Sequence, residues 1–304
     1  MPRPFAAVAA ALAINEAEVI ARLERLHGCG QVARVGATVR PNTAGASTLV
    51  AMAVPEDRIE AVAALVGAEA GVNHSYLRED DWNLWFVATA PDAAALEAAL
   101  ARIGAKAGLP VLDLRLVRPF NIDLGFPLAG RPRAMAVTAA ADPAALVAGD
   151  RVLLQALSQG LDLVPAPYAA LAARLGRSEA DVTGRIAALL AAGIVTRLGV
   201  IVRHRPLGFT ANAMVVWALP EPQIAAAGAA LAALPGVTLC YQRRTVPGLW
   251  PYALYAMIHA RSRPEALAVL GDARALPELA GADPRVLFST RCFKQTGARI
   301  AEAA

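Results

Sequence analysis

Cysteine is scarce and scattered here: Cys29, Cys240 and Cys292 are the only three. They show neither CxxC spacing nor an obvious pairing, which argues against a zinc knuckle or a disulfide framework and points to a reducing, cytoplasmic setting. Long apolar runs are missing too. No stretch reaches the roughly 18 residues a bilayer span requires, and the mean hydropathy of +0.45 comes mainly from alanine. There is no GxGxxG, Walker loop, HExxH or nucleophile elbow, so nucleotide, metalloprotease and hydrolase chemistry lack support. Charge is not strongly of one sign. The net +4 suits an anionic small molecule as well as nucleic acid. What is present is 304 residues with 57% apolar content, enough for two domains with full cores.

An internal repeat organises those residues. Sliding the chain on itself by 163 positions aligns Pro4 to Gly36 with Pro167 to Gly199, with 15 of 33 pairs identical. Five of these are Ala on Ala, but Pro4/Pro167, Glu16/Glu179, Val19/Val182, Arg22/Arg185, Gly30/Gly193, Arg34/Arg197 and Gly36/Gly199 are specific. The apolar stretch Phe5 to Ile14 imitates a signal peptide, yet the alignment makes it the copy of an internal helix. Further matches pair Tyr76-Leu-Arg78 with Tyr241-Gln-Arg243, Trp82-Asn-Leu-Trp85 with Tyr252-Ala-Leu-Tyr255, and Arg118-Pro-Phe120 with Arg291-Cys-Phe293. A period of about 165 residues is a domain duplication, not a solenoid.

Each copy opens with a helix, a turn, and a second helix. In the second copy Ser178 is the expected N-cap, with Glu179 and Asp181 on the helix dipole and a stop at Gly193. Ile194 to Val202 then reads as wing strands, giving a winged helix-turn-helix. Downstream, both copies follow a β-α-β-β-α-β order, the ferredoxin-like split unit. The expected fold class is therefore α+β and duplicated. The boundaries are 1–40 truncated winged helix, 41–128 ferredoxin-like domain, 129–148 linker, 149–205 winged helix and 206–300 ferredoxin-like domain.

A winged helix followed by a ferredoxin-like domain resembles the Lrp/AsnC transcription regulators. Within that superfamily, the segment Asn73-His-Ser-Tyr-Leu-Arg-Glu-Asp-Asp-Trp-Asn-Leu-Trp-Phe86 is more specific. Together with Val237-Thr-Leu-Cys-Tyr-Gln-Arg-Arg244, Trp250-Pro-Tyr252, Met257-Ile-His259 and Phe293-Lys-Gln-Thr-Gly297, it resembles the siroheme decarboxylases of haem d1 and alternative haem biosynthesis, in their fused two-subunit form. The first copy starts at Pro4 and lacks the helix that Asp150 to Leu157 supplies in the second. An enzyme tolerates such a remnant far better than a DNA reader does. Ser178 to Ala192 also offers one Arg against Glu179 and Asp181, a poor recognition helix.

The resemblance implies a carboxy-lyase that removes CO2 from two ring acetates of siroheme, leaving methyl groups, to give didecarboxysiroheme. It implies no separate cofactor, because the substrate carries its own iron. Expected partners are siroheme and its decarboxylated products, a second copy as a homodimer, and other haem d1 pathway enzymes, with no specific DNA binding and no membrane. A transcriptional regulator or a non-catalytic tetrapyrrole sensor is the alternative. Such chemistry needs a proton donor near neutrality and cations for carboxylates. His74 and His259 are the catalytic candidates, either as proton donors or as axial iron ligands, against the alternative of hydrogen-bonded sheet histidines. Alternation places Val72, His74, Tyr76 and Arg78 on one strand face, and Val237, Leu239, Tyr241 and Arg243 on the equivalent one. Tyr76, Arg78, His204, Tyr241, Arg243, Arg244, Trp250 and Lys294 are the substrate-binding candidates. Trp250 enters as a wall, because Pro247-Gly-Leu-Trp-Pro251 reads as an exposed turn, against the commoner alternative of a packing aromatic. For Arg78, Arg243, Arg244 and Lys294 solvated surface charges are the alternative, for His204 a solvated linker, and for Tyr76 and Tyr241 core aromatics.

Overall fold

The computed structural model describes residues 3–121 and 140–300. In the first half α1 (Pro4–Leu12), α2 (Glu16–Gly28) and β1 (Val32–Val39) precede β2 (Ala46–Met52), α3 (Ile59–Ala68), β3 (Val72–Arg78), β4 (Leu84–Ala90), α4 (Ala93–Ala107) and β5 (Leu112–Asn121). In the second, α5 (Asp150–Gln159), α6 (Pro167–Arg174), α7 (Glu179–Ala191) and β6 (Val195–Val202) precede β7 (Ala211–Trp217), α8 (Glu221–Ala233), β8 (Val237–Arg243), β9 (Leu254–Ala260), α9 (Arg263–Arg274) and β10 (Arg285–Gln295). Of the expected linker, residues 129–139 lie outside the described residues, and 140–148 hold one helical turn, Pro143–Ala145, ahead of α5.

Equivalent local chemistry starts the equivalent helices. Asn15 accepts from the Glu18 backbone N–H at 2.7 Å, and Ser178 accepts from that of Asp181 at 3.2 Å. Both caps satisfy donors that the first turn leaves open. Among the described residues the second unit has a preceding helix, α5, whose Leu153, Leu154 and Leu157 are buried against α6 and α7.

The wing differs from expectation. Each half supplies one strand, not a hairpin, and β1 pairs with β6 antiparallel. Gly36 faces Gly199 in that ladder. These are the same two residues that the repeat aligns, so a pseudo-twofold axis passes through the pair, as in an isologous dimer.

The remaining eight strands close into one barrel, in the order β10-β3-β4-β2-β5-β8-β9-β7. Closure depends on the last strand of each half serving both halves. Residues 112–115 of β5 pair with β2 and residues 116–121 with β8, while residues 285–288 of β10 pair with β7 and residues 289–295 with β3. Eight strands leave an interior that side chains just fill. Here Trp85, Leu114, Met214, Trp250, Tyr255 and Leu287 occupy it. The outer faces pack on α3 and α4 in one half and on α8 and α9 in the other. Among the described residues no single helix is long and apolar enough to cross a membrane.

Candidate active site

Strand alternation is interrupted at the same place in both halves. A bulge lies between Val72 and His74, and its equivalent between Val237 and Leu239. Val72 and Val237 therefore face the helix layers, not the face that uninterrupted alternation assigns them. One extra residue shifts the side-chain phase by one position. Beyond the bulge, Tyr76 sits opposite Trp85 and Tyr241 opposite Tyr255, on the barrel's inner face. On β9, His259 shares that face with Tyr255 and Met257.

The barrel brings three of the predicted residues together from both halves. His204, on the helical turn after β6, stacks edge-on against His259 with ring centroids 5.0 Å apart. The Asn212 side-chain amide meets its Nε2 at 2.5 Å. His74 lies within electrostatic range of His204 and of Arg34 on β1. Burial is the main force on all three rings. It lowers His74 to about 4, helped by Arg34 and His204, lowers His204 to about 4, helped by Arg205, and lowers His259 to about 3, helped by His204 and Arg78. All three are neutral at pH 7 in the unliganded chain.

Tyr76 and Arg78 extend the cluster. Burial raises the Tyr76 hydroxyl, which is in hydrogen-bond contact with Cys292. Burial pulls the Arg78 guanidinium down to about 10 against Tyr241 and Tyr76, and its Nη1 donates to the Leu287 carbonyl at 3.1 Å. Arg205 donates Nη2 to the Ser289 carbonyl at 3.0 Å. The Nε donors of Arg34, Arg78 and Arg205 are buried and meet no acceptor among the described residues. A buried donor without an acceptor costs about 1–3 kcal/mol. Three of them around one cluster fit an anion with several carboxylates.

The pseudo-twofold copy of this cluster keeps the frame and loses the chemistry. Tyr241 and Arg243 repeat Tyr76 and Arg78, and Arg243 donates Nη1 to the Leu114 carbonyl at 2.7 Å, as Arg78 does to Leu287, with its Nε likewise buried and meeting no acceptor among the described residues. The Arg243 guanidinium lies 4.5 Å over the Tyr241 ring. Cys292 pairs with Tyr76, but Pro119 pairs with Tyr241. Leu239 stands for His74, Pro41 for His204 and Thr89 for His259. The three histidines and the tyrosine-paired cysteine are all on one side.

Besides Tyr241 and Arg243, three candidates fall outside the cluster. Arg244 is exposed and donates to the Asp113 carboxylate at 2.9 Å. Lys294 follows a further bulge in β10 and donates to the Gly67 carbonyl of α3 at 2.7 Å, in the helix layer. Trp250 is no exposed wall. It is fully buried, with its indole N–H on the Tyr255 hydroxyl at 2.7 Å and Trp85 edge-on at 5.3 Å. The turn folds inward, because the indole is worth several kcal/mol inside the barrel. Two surface clefts, of about 320 Å³ beside Glu97 and Gly104 and about 480 Å³ beside Asn42 and Arg151, contain none of the histidines.

Sequence reasoning missed Arg34, Arg205 and Cys292. The identity of Arg34 with Arg197 marks the repeat but carries no sign of a site. Arg205 had the only signal, its place in the basic run Arg203-His-Arg205.

Residues 44–120 and 206–294 match the AsnC-like ligand binding domain, and residues 1–32 and 150–195 match the siroheme decarboxylase NirDL-like HTH domain. The chain is 66% identical to the siroheme decarboxylase NirDL subunit of Paracoccus denitrificans, over 100% of this chain and 93% of that one. It is 67% identical to the NirDL subunit of Paracoccus pantotrophus, over 99% and 93%. The chain belongs to the siroheme decarboxylase family. A crystal structure of the siroheme decarboxylase NirDL in complex with an iron-uroporphyrin III analogue superposes with a TM-score of 0.71 at 27% identity, covering 98% of this chain and 89% of that one. The duplicated α+β architecture, with its two AsnC-like units, is that of the family.

Proposed function

We propose that the chain decarboxylates two acetate side chains of siroheme, at one site per chain built around His74, His204 and His259. The observation that carries the reading is the asymmetry just described. Two Tyr-x-Arg frames face each other across the pseudo-twofold axis, and only one holds histidines and a thiol. Arg34, Arg78 and Arg205 grip ring carboxylates through the donors that meet no acceptor among the described residues. As the bond from the acetate methylene to its carboxylate breaks, CO2 leaves and the electron pair passes into the pyrrole. The methylene carbon then takes up one proton and becomes a methyl, so each event consumes one proton. His74 and His259 carry that proton or hold the substrate's iron. A polyanionic substrate favours their charged forms, which burial alone disfavours.

A DNA-reading regulator is the weaker reading. Arg185, the one arginine of α7, is held by the fully buried Asp150 carboxylate at 2.6 Å, and so is withdrawn from phosphates and bases. Anaerobic incubation with siroheme followed by mass spectrometry tests the proposal. Loss of two CO2 is expected. Tight binding with unchanged mass would instead identify a tetrapyrrole sensor.

A further inference from the structure

The bulges that set the phase of β3 and β8 place one polar residue each, Asn73 and Thr238, at equivalent positions. Both side chains contact a histidine at its Nδ1. Asn73 Oδ1 lies 2.6 Å from Nδ1 of His74, and Thr238 Oγ1 lies 2.6 Å from Nδ1 of His259. Which partner donates is decided by what else each group is bonded to.

The Met257 carbonyl, 3.1 Å from Thr238 Oγ1, can only accept, and so competes with Nδ1 for the one hydroxyl proton. When the carbonyl takes it, Thr238 accepts from His259 and the proton of that contact sits on Nδ1. The first half reaches the same result through one more bond. The Thr89 hydroxyl donates to the Gly71 carbonyl at 3.1 Å and accepts from the Arg299 backbone N–H at 3.2 Å. Its remaining lone pair meets Asn73 Nδ2 at 3.5 Å. That fixes the amide with its NH2 toward Thr89 and its oxygen toward His74, and an amide oxygen only accepts. In this arrangement the Thr89 hydroxyl and the His74 Nδ1–H each meet an acceptor. Asn73 is 4% exposed, so water offers it little alternative.

We propose that Asn73 and Thr238 are positioning residues that hold His74 and His259 as Nδ1–H tautomers, making Nε2 the nitrogen through which both rings act. The hydrogen bond on one imidazole nitrogen sets the role of the other. This rests on the decarboxylase reading for its purpose: an extra proton, or the substrate's iron, meets Nε2 in either role. The two halves achieve it differently. In the first the bulge residue holds its immediate neighbour, and in the second it holds a histidine across the strand pair, at the position where the first half has Thr89.

The test is long-range proton–nitrogen correlation NMR on the substrate-free full chain carrying ¹⁵N-histidine. The four histidines are assigned with H74N and H259N. The Nδ1–H pattern is expected for both rings. Thr238→Val should return His259 to the Nε2–H pattern without moving His74, and Thr238→Ser should restore it, which a general packing defect would not. Asn73→Leu should act likewise on His74. An Nε2–H pattern in the unsubstituted chain, or an Nδ1–H pattern that survives T238V and N73L, would overturn the proposal. With siroheme, T238V should lose turnover about 10-fold or more, with T238S close to the parent. The tautomers are read without siroheme, so failure to release CO2 would sink the decarboxylase reading and leave this one standing.

Discussion

At Arg78, Arg243 and Arg244 the same side chain meets three environments. Arg78 is buried beside the histidines, Arg243 is its counterpart over Tyr241, and Arg244 is half in solvent on Asp113. Replacing Arg78 by Ala should weaken binding of an iron uroporphyrin by roughly 1.5–3 kcal/mol, the scale of a charge-assisted contact. Arg244→Ala should leave it unchanged. Isothermal titration of both variants checks this, and an equal loss in R244A would move the site. The histidines also set an acid limit. Their folded values lie near 4, 4 and 3 against 6.5 unfolded, so between these values the unfolded chain binds more protons. The stabilisation is complete above about pH 6.5 and is lost as pH falls toward 4, at about 1.4 kcal/mol per pH unit for each proton. Urea midpoints at pH 5 and 7 should differ less in H259N than in the parent. His74, His259 and Tyr-x-Arg were legible because they stand in distinctive strings. Asn73 and Thr238 were not, since their value lies in hydrogen bonds that only a bulge creates.

Among the elements, the helices and strands were legible from apolar period and caps. The pairing of β1 with β6 was not, because a lone wing strand reads the same whatever its partner. Gly36 shows why that partner matters. A Cβ there would sit 2.4 Å from the Leu157 carbonyl oxygen, a backbone atom of α5. Gly36→Ala should therefore destabilise by about 1–3 kcal/mol, as overpacking does, and calorimetry should show it as a lower unfolding temperature. Trp250 was misread for a similar reason: Pro247 to Pro251 has the composition of a surface turn, and only barrel closure reveals an interior that needs an indole. Trp250→Ala should cost about 3–5 kcal/mol. A variant of unchanged stability would show that the interior does not depend on it.

For the molecule as a whole, duplication has produced a pseudo-dimer with one equipped side. Titration with an iron uroporphyrin should saturate near one per chain, and two equal sites would contradict the asymmetry. No sequence-specific DNA footprint is expected at 150 mM salt, where weak phosphate contacts are screened. The exchange of β5 and β10 between the sheets also bears on how the chain comes to be folded. Arg78 and Leu287 touch although 209 residues separate them, and contacts of such range are made late. During synthesis β3 has no neighbour on its outer side until residues 289–295 emerge. Until then the chain carries an open sheet edge, a template for misassociation. Its last strand completes the half that was made first, so a ribosome that stalls or terminates before Ser289 releases an aggregation-prone fragment, not a half-enzyme.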